Sequence, residues 1–198
     1  KFKAPILYPI GLTSSVRLGD FNGDQALDVA GFTQDQNGAV FITVLLNNGN
    51  GVLQPALLSP IVNSTTFIVG DFDGDGKLDI GAAEGTFPGM VVVLRGNGDG
   101  TFAGQTTYQA DNATHDIVTG DFNGDGILDL ATANESGYDV SILLGKGDGT
   151  FSPAKNYASG KNSAYLTTAD FNADGNLDLA VSKLIPSGNP LAILLGNG

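Results

Sequence analysis

Apolar residues in this chain come in short runs set apart by Gly-, Asn- and Asp-rich turns. The same four runs recur in every unit of about 50 residues. The first spans 16–18, 67–69, 117–119 and 166–168, and the second 27–30, 78–82, 128–131 and 177–181. The third spans 40–46, 91–94, 140–144 and 191–195, and the fourth 2–8, 53–58, 102–108 and 151–157. β-Branched and aromatic residues dominate, and no long stretch carries the helical period. The third and fourth runs meet at the turns NNGNG (47–51), GNGDG (96–100) and GKGDG (145–149), whose glycines supply the positive φ that hairpins need. The pattern predicts an all-β fold: a β-propeller of four-stranded antiparallel blades, four in this chain, forming a single domain over 1–198.

Two positions per unit are expected to fill the seams between blades. They are Phe21, Phe72, Phe122 and Phe171, with Leu27, Leu78, Leu128 and Leu177. The ends suggest how the array closes. Residues 1–8 read as an outer strand without its blade, with Phe2, Ile6 and Tyr8 matching Phe102, Thr106 and Tyr108, while the last blade lacks its outer strand. Residues 1–8 are therefore expected to complete the C-terminal blade beside 191–195, which covers an edge otherwise open to aggregation. The ring could close within one chain, form from two chains as an eight-bladed homodimer, or belong to a longer array. The chain opens on Lys1 rather than Met and shows no leader-like segment, which reads as a processed or trimmed product.

Between the first two runs of every unit lies a polar nonapeptide: DFNGDQALD (20–28), DFDGDGKLD (71–79), DFNGDGILD (121–129) and DFNADGNLD (170–178). Oxygen-bearing side chains stand at positions 1, 3, 5 and 9 of each. They are Asp20, Asn22, Asp24 and Asp28; Asp71, Asp73, Asp75 and Asp79; Asp121, Asn123, Asp125 and Asp129; and Asp170, Asn172, Asp174 and Asp178. Ca²⁺ is a hard ion that takes about six to eight oxygens, and short carboxylates on alternate residues of a tight turn can converge on one. Glycine at position 6 permits the reversal, and the carbonyl at position 7 can turn inward. Turn chemistry alone would explain the residue types but not the repeated register.

Charge changes the picture further. Thirteen of the 21 acidic residues lie in these loops, and the other eight are matched by nine Lys and Arg, so the net charge of −12 belongs to the loops. Carboxylates packed that closely repel one another without a cation. Up to four Ca²⁺ are expected. The second loop, with four Asp, should bind tightest, and the first should be weakest because Gln25 stands where glycine is preferred. The acidic balance argues against nucleic acid, which needs a basic face. No apolar run approaches ~18 residues, so no membrane insertion is expected. With no cysteine there are no disulfides.

DFNGDGxLD followed by a GNGDGTF turn resembles the FG-GAP/VCBS repeat, which builds the calcium-binding propeller of integrin α subunits and of many secreted bacterial proteins. Related repeats occur in lectins and polysaccharide lyases. The resemblance covers the whole chain. It implies Ca²⁺ between the first two strands of each blade, held by the loop Asp and Asn residues and by the carbonyls of Ala26, Lys77, Ile127 and Asn176. The sequence departs from the family pattern at Gln25, at Ala173 in place of the position-4 glycine, and in having four blades where about seven are usual.

Three functions fit. The first is a calcium-stabilised extracellular or cell-surface module that binds a carbohydrate or protein ligand and is not an enzyme. Its contacts would lie in the variable loops 11–15, 59–66, 110–116 and 159–165, with 33–38, 84–89, 134–139 and 183–190. The second is a domain of a secreted lyase or hydrolase. The single histidine, His115, neighbours Asp116, but adjacent strand residues face opposite ways. No carboxylate pair outside the metal loops suggests glycosidase chemistry. The third is a purely structural assembly domain.

Overall fold

The computed structural model describes residues 4–8, 10, 12–62, 64–184 and 190–198, with backbone alone for 12–14. The described residues form four antiparallel sheets and no helix. The first sheet is β1 (Leu12–Gly19), β2 (Asp28–Gln34), β3 (Val40–Leu45) and β4 (Leu57–Ile61). The second is β5 (Thr66–Gly70), β6 (Asp79–Glu84), β7 (Met90–Gly96) and β8 (Phe102–Gln109). The third is β9 (Thr114–Gly120), β10 (Asp129–Asn134), β11 (Asp139–Leu143) and β12 (Lys155–Ala158). The fourth is β13 (Ser163–Ala169), β14 (Asp178–Lys183) and β15 (Leu191–Leu194). Strand order within each sheet follows the chain, so every connection is a hairpin or a step to the next sheet.

Apart from the run 2–8, the expected strands are present, with three adjustments. The second strand of each sheet begins on the position-9 aspartate, one residue later than the apolar pattern suggests. The fourth strand starts late in the first and third sheets, where Pro55 and Pro153 break the run, and only the bridges Asn47–Leu53 and Gly145–Phe151 precede them. Proline has no N–H to donate to a ladder. In the second sheet Gly104 stands at that place, and β8 runs unbroken from Phe102 with one bulge against β7. Finally, β1, β9 and β13 extend into stretches expected to be loops, so the connections on that rim are shorter than the sequence suggested.

The core consists of the three seams between successive sheets. Phe21, Phe32, Phe67 and Val92 fill the first, and Phe72, Ile117, Leu130 and Phe151 the second. Leu166, Leu179 and Val181 fill the third with Val140. The middle strands face a neighbour on both sides, so β10 is buried along its whole length. The small residues before the loops have a clear purpose. A Cβ added at Gly19 would lie 2.5 Å from Leu78, at Gly70 3.1 Å from Leu128, and at Gly120 2.7 Å from Leu177. Leu78, Leu128 and Leu177 therefore each insert into a notch that only glycine leaves open in the preceding sheet, whereas Leu27, expected to fill a seam, is exposed.

The first strands pack in series, β1 on β5, β5 on β9 and β9 on β13, with no comparable packing of β13 on β1. Residues 4–8 lie outside any strand, and β15 is an edge strand of its sheet among the described residues. The expected pairing of 1–8 with 191–195 is thus not made within the chain by residues 4–8. Residues 1–3 lie outside the described residues.

Candidate metal centre

Each nonapeptide links the first two strands of its sheet, so all four loops lie on one rim of the array. The loop is shaped by the aspartate at position 1. In the third loop Asp121 Oδ1 accepts the N–H groups of Gly124 (2.7 Å) and Asp125 (3.1 Å), and Oδ2 accepts that of Gly126 (2.8 Å). Asp20 does the same for Gly23, Asp24 and Gln25. These donors, Gly126 foremost, hold the Asp121 carboxyl below the usual carboxylate range. For Asp20 desolvation is the largest single influence and would raise it, but the N–H groups of Gln25, Gly23 and Asp24 together bring it below that range. The position-5 aspartate closes the second half of the turn by accepting the N–H of position 7, as Asp125 does from Ile127 at 2.8 Å.

Positions 4 and 6 turn with positive φ in all four loops. The two departures from glycine obey the same geometry: Gln25 has φ 67° and Ala173 φ 60°. The backbone shape survives in both, at the strain that a Cβ carries in this region.

The position-9 aspartates have a role that sequence reasoning did not foresee. Asp28, Asp79, Asp129 and Asp178 are buried at the start of the second strand. Oδ2 of each accepts the N–H of the phenylalanine at loop position 2, at 2.8 to 2.9 Å. Oδ1 accepts the N–H of Asn47, Gly96, Gly145 or Gly196 at the end of the third strand, at 2.7 to 2.8 Å. One carboxylate thus ties loop, second strand and third strand together. The signal was there to find, since a carboxylate opening a strand beside a turn has two backbone donors within reach.

Do the residues fit a cation? In the second loop one carboxylate oxygen from each of Asp71, Asp73 and Asp79 lies within 4.8 Å of the others. Burial pushes the Asp79 carboxyl up, and the charges of Asp73 and Asp71 add to it; Asp129 is raised by burial, then by Asp125 and Asp121. Hard oxygen donors gathered around a buried carboxylate that resists ionisation are what a divalent cation relieves. Two cationic side chains already lean on this loop. Lys77 Nζ stands 2.8 Å from Asp75, and Arg95 3.8 Å from Asp73, while Arg95 also donates to the Asp148 carbonyl of the next sheet. Asp71, Asp73 and Asp79 are brought together, while Asp75 stands apart from that group with its Oδ2 on Lys77 and its Oδ1 on the Lys77 N–H. In the first, third and fourth loops the position-3 asparagines donate Nδ2 to the position-5 aspartates, as Asn22 does to Asp24.

A family model described as an FG-GAP-like repeat matches residues 20–82, 71–132 and 121–181, each match running from one loop to the strand after the next. The chain belongs to the FG-GAP-like repeat family. A chain of the Photorhabdus luminescens Tc holotoxin pore is similar at 16% identity with a TM-score of 0.48, over 95% of this chain and 11% of that one. This chain therefore spans about a ninth of that relative's length. No curated protein gives a match.

On the rim opposite the FG-GAP loops stands a cluster of polar side chains from the strands of the third sheet and the connection before β9. Asp111, before β9, and Asp139, opening β11, stand side by side there, so that a Cβ added at Gly137 would meet both. Separation in sequence hid them. Asn156 Nδ2 donates to Asp111 Oδ2 (3.1 Å), and the fully buried Asn134 donates to Asp139 Oδ1 (2.8 Å) and to Ser141 Oγ (2.7 Å). The two asparagines tie the pair to β10 and β12. Burial pushes Asp139 above the usual range, and Asp111 adds to it. A raised folded pKa means stability that is fully present below the unfolded pKa and is lost as pH rises through the folded one. Asp139→Asn should accordingly stabilise the protein at pH 7.5 and give no gain near pH 4, as measured by urea unfolding at the two pH values.

His115 and Asp116 both lie on β9 and have different partners. The His115 ring meets Tyr165 edge-on at 5.1 Å, with its Nδ1 buried and unpaired. Asp116 accepts the N–H groups of Leu166 (2.9 Å) and Ile117 (3.0 Å), which fastens β9 to β13.

Proposed function

We propose that these FG-GAP-like repeats form a calcium-stabilised β-propeller that works outside the cell as a binding module for a carbohydrate or protein ligand. The observation that carries the calcium reading is the convergence of Asp71, Asp73 and Asp79 around a buried carboxylate, in a loop whose backbone is repeated four times. The propeller reading is supported by sheets of sequential antiparallel strands stacked seam to seam. In each sheet the loop would hold the ion through the side chains at positions 1, 3, 5 and 9 and the carbonyl at 7. The ion would neutralise the crowded carboxylates and fix the rim. Sites of this kind bind in the range of extracellular calcium, which suits secretion or surface display.

Ligand contacts fall to the opposite rim, where the connections differ from sheet to sheet. Thr86, Phe87, Asn112, Glu135 and Tyr138 stand there, and Phe87 is exposed although large and apolar. A glycan and extracellular-protein array probed in millimolar calcium tests this reading. A specific hit, weakened by Phe87→Ala and Tyr138→Ala, is expected. An array with no hit would leave the structural-spacer reading in its place.

The second loop yields a sharper prediction. Lys77 is paired with Asp75, so Lys77→Gln should tighten calcium binding at that loop by roughly two- to tenfold. Calorimetric titration of the variant beside the parent reads the change.

A further inference from the structure

The two ion pairs among the described residues both fall on the second loop: Lys77 on Asp75, and Arg95 on Asp73. Four aspartates against two cations leave two negative charges there, fewer than the three aspartates of the third loop carry. Lys77 belongs to the loop itself. Arg95 comes from the end of β7, and no other sheet has its like. The residue before the N–H that the position-9 aspartate holds is Leu46, Leu144 or Leu195 in the other sheets and Arg95 here.

Leu46 shows what the leucine does. A Cβ added at Gly100, in the next sheet's turn, would lie 3.0 Å from it, so the contact between sheets is apolar. Arg95 reaches the matching Gly149, where such a Cβ would lie 2.8 to 3.0 Å from the guanidinium. Nη2 donates to the Asp148 carbonyl, and Nη1 stands 3.8 Å from Asp73 Oδ2. An apolar contact is thus replaced by a charged bridge from a metal-loop carboxylate to the turn of the third sheet. It runs beside a backbone link, in which the Gly149 N–H donates to the Phe72 carbonyl at 3.1 Å.

Asp73 has few lone pairs to spare. Its Oδ1 accepts the Asp75 N–H at 3.2 Å and its Oδ2 faces Arg95, yet one of its oxygens lies within 4.8 Å of oxygens of Asp71 and Asp79. A guanidinium keeps its charge at every pH the protein meets, and it repels a second cation on the same carboxylate. We propose, building on the calcium reading of these loops, that Arg95 competes with calcium for Asp73 and so couples the second loop to the turn of the third sheet. An ion on Asp73 leaves Arg95 to the Asp148 carbonyl alone, and the bridge opens at its loop end. Linkage makes the effect mutual: Arg95 weakens calcium at this loop by the factor by which calcium weakens the Arg95–Asp73 pair. Counting aspartates alone therefore overstates the affinity of the second loop.

A calcium titration of the isotope-labelled chain, followed by nuclear magnetic resonance, reads both partners at once. The N–H signals of Gly74 and Gly76 follow the ion at the second loop, and those of Gly124 and Gly126 at the third. The chain has two arginines, and Arg17, which lies 5.6 Å from the Phe67 ring and outside the loops, serves as the control. The Arg95 Nε–H signal should move along the same curve as Gly74 and Gly76, while that of Arg17 stays in place. Arg95→Leu installs the residue of the other three sheets. It should lower the Kd of the second loop roughly two- to tenfold, leave the third unchanged, and diminish the response of the Gly149 N–H to calcium. An Arg95 signal indifferent to an ion that moves Gly74 and Gly76, an unchanged Kd in Arg95→Leu, or an undiminished Gly149 response would each overturn the proposal and leave the calcium reading standing. No shift at any of the four glycines would overturn that reading, and the proposal with it.

Discussion

Stripping calcium should lower the melting temperature of this protein by roughly 10–20 °C. A ligand bound only by the folded state stabilises by RT ln(1 + [L]/Kd), about 1.4 kcal/mol per site at ten times Kd. Four equivalent sites give roughly 5–6 kcal/mol, and for a chain of this length each kcal/mol moves the melt by about 2–4 °C. The size of the effect follows from the charge distribution. Thirteen carboxylates sit in four loops, and the folded state must gather them while the unfolded chain does not. Thermal scans in calcium and in excess chelator, with metal removal verified, measure it. An unchanged melt would mean that the loops hold their shape through their own hydrogen bonds alone.

The second large effect separates the two tasks of the loop carboxylates. Asp79→Ala should destabilise by about 3–4 kcal/mol even in chelator. The side chain is buried, and its removal strands the Phe72 and Gly96 N–H groups, each now donating at 2.8 Å. A buried unsatisfied donor costs about 1–3 kcal/mol, partly offset here because burial already disfavours the charged Asp79. Asp79→Asn keeps one acceptor oxygen and should fall roughly midway. Asp73→Ala removes an aspartate that stands nearer the surface. It should weaken calcium binding at the second loop while leaving the chelated protein within about 0.5 kcal/mol of the parent. Urea unfolding of the three variants with and without calcium tests the division. Equal losses for Asp73→Ala and Asp79→Ala in chelator would refute it.

Much of this was legible in the sequence, because the repeat multiplies each signal by four. The positive φ at loop positions 4 and 6 follows from glycine there, and its persistence at Gln25 and Ala173 follows from the repeat. The seam role of Phe21 and Phe72 follows from their invariance across units. What stayed hidden depends on neighbours distant in sequence. The clamp made by Asp79 needs Gly96 to come round beside it, and the pair Asp111–Asp139 forms only once two connections share a rim. The late start of β4 and β12 could have been read from Pro55 and Pro153, but a run of apolar residues masks a missing N–H. Lys77 reads as a mere position-7 carbonyl until its side chain is seen on Asp75.

The most direct test of the central claim is a count of bound calcium. Equilibrium dialysis against millimolar Ca²⁺, followed by elemental analysis, should give four ions per chain. Asp20→Ala, Asp71→Ala, Asp121→Ala and Asp170→Ala should each remove one, and the fourfold variant all of them. A chain that binds no calcium, or a count that these substitutions leave unchanged, would contradict it.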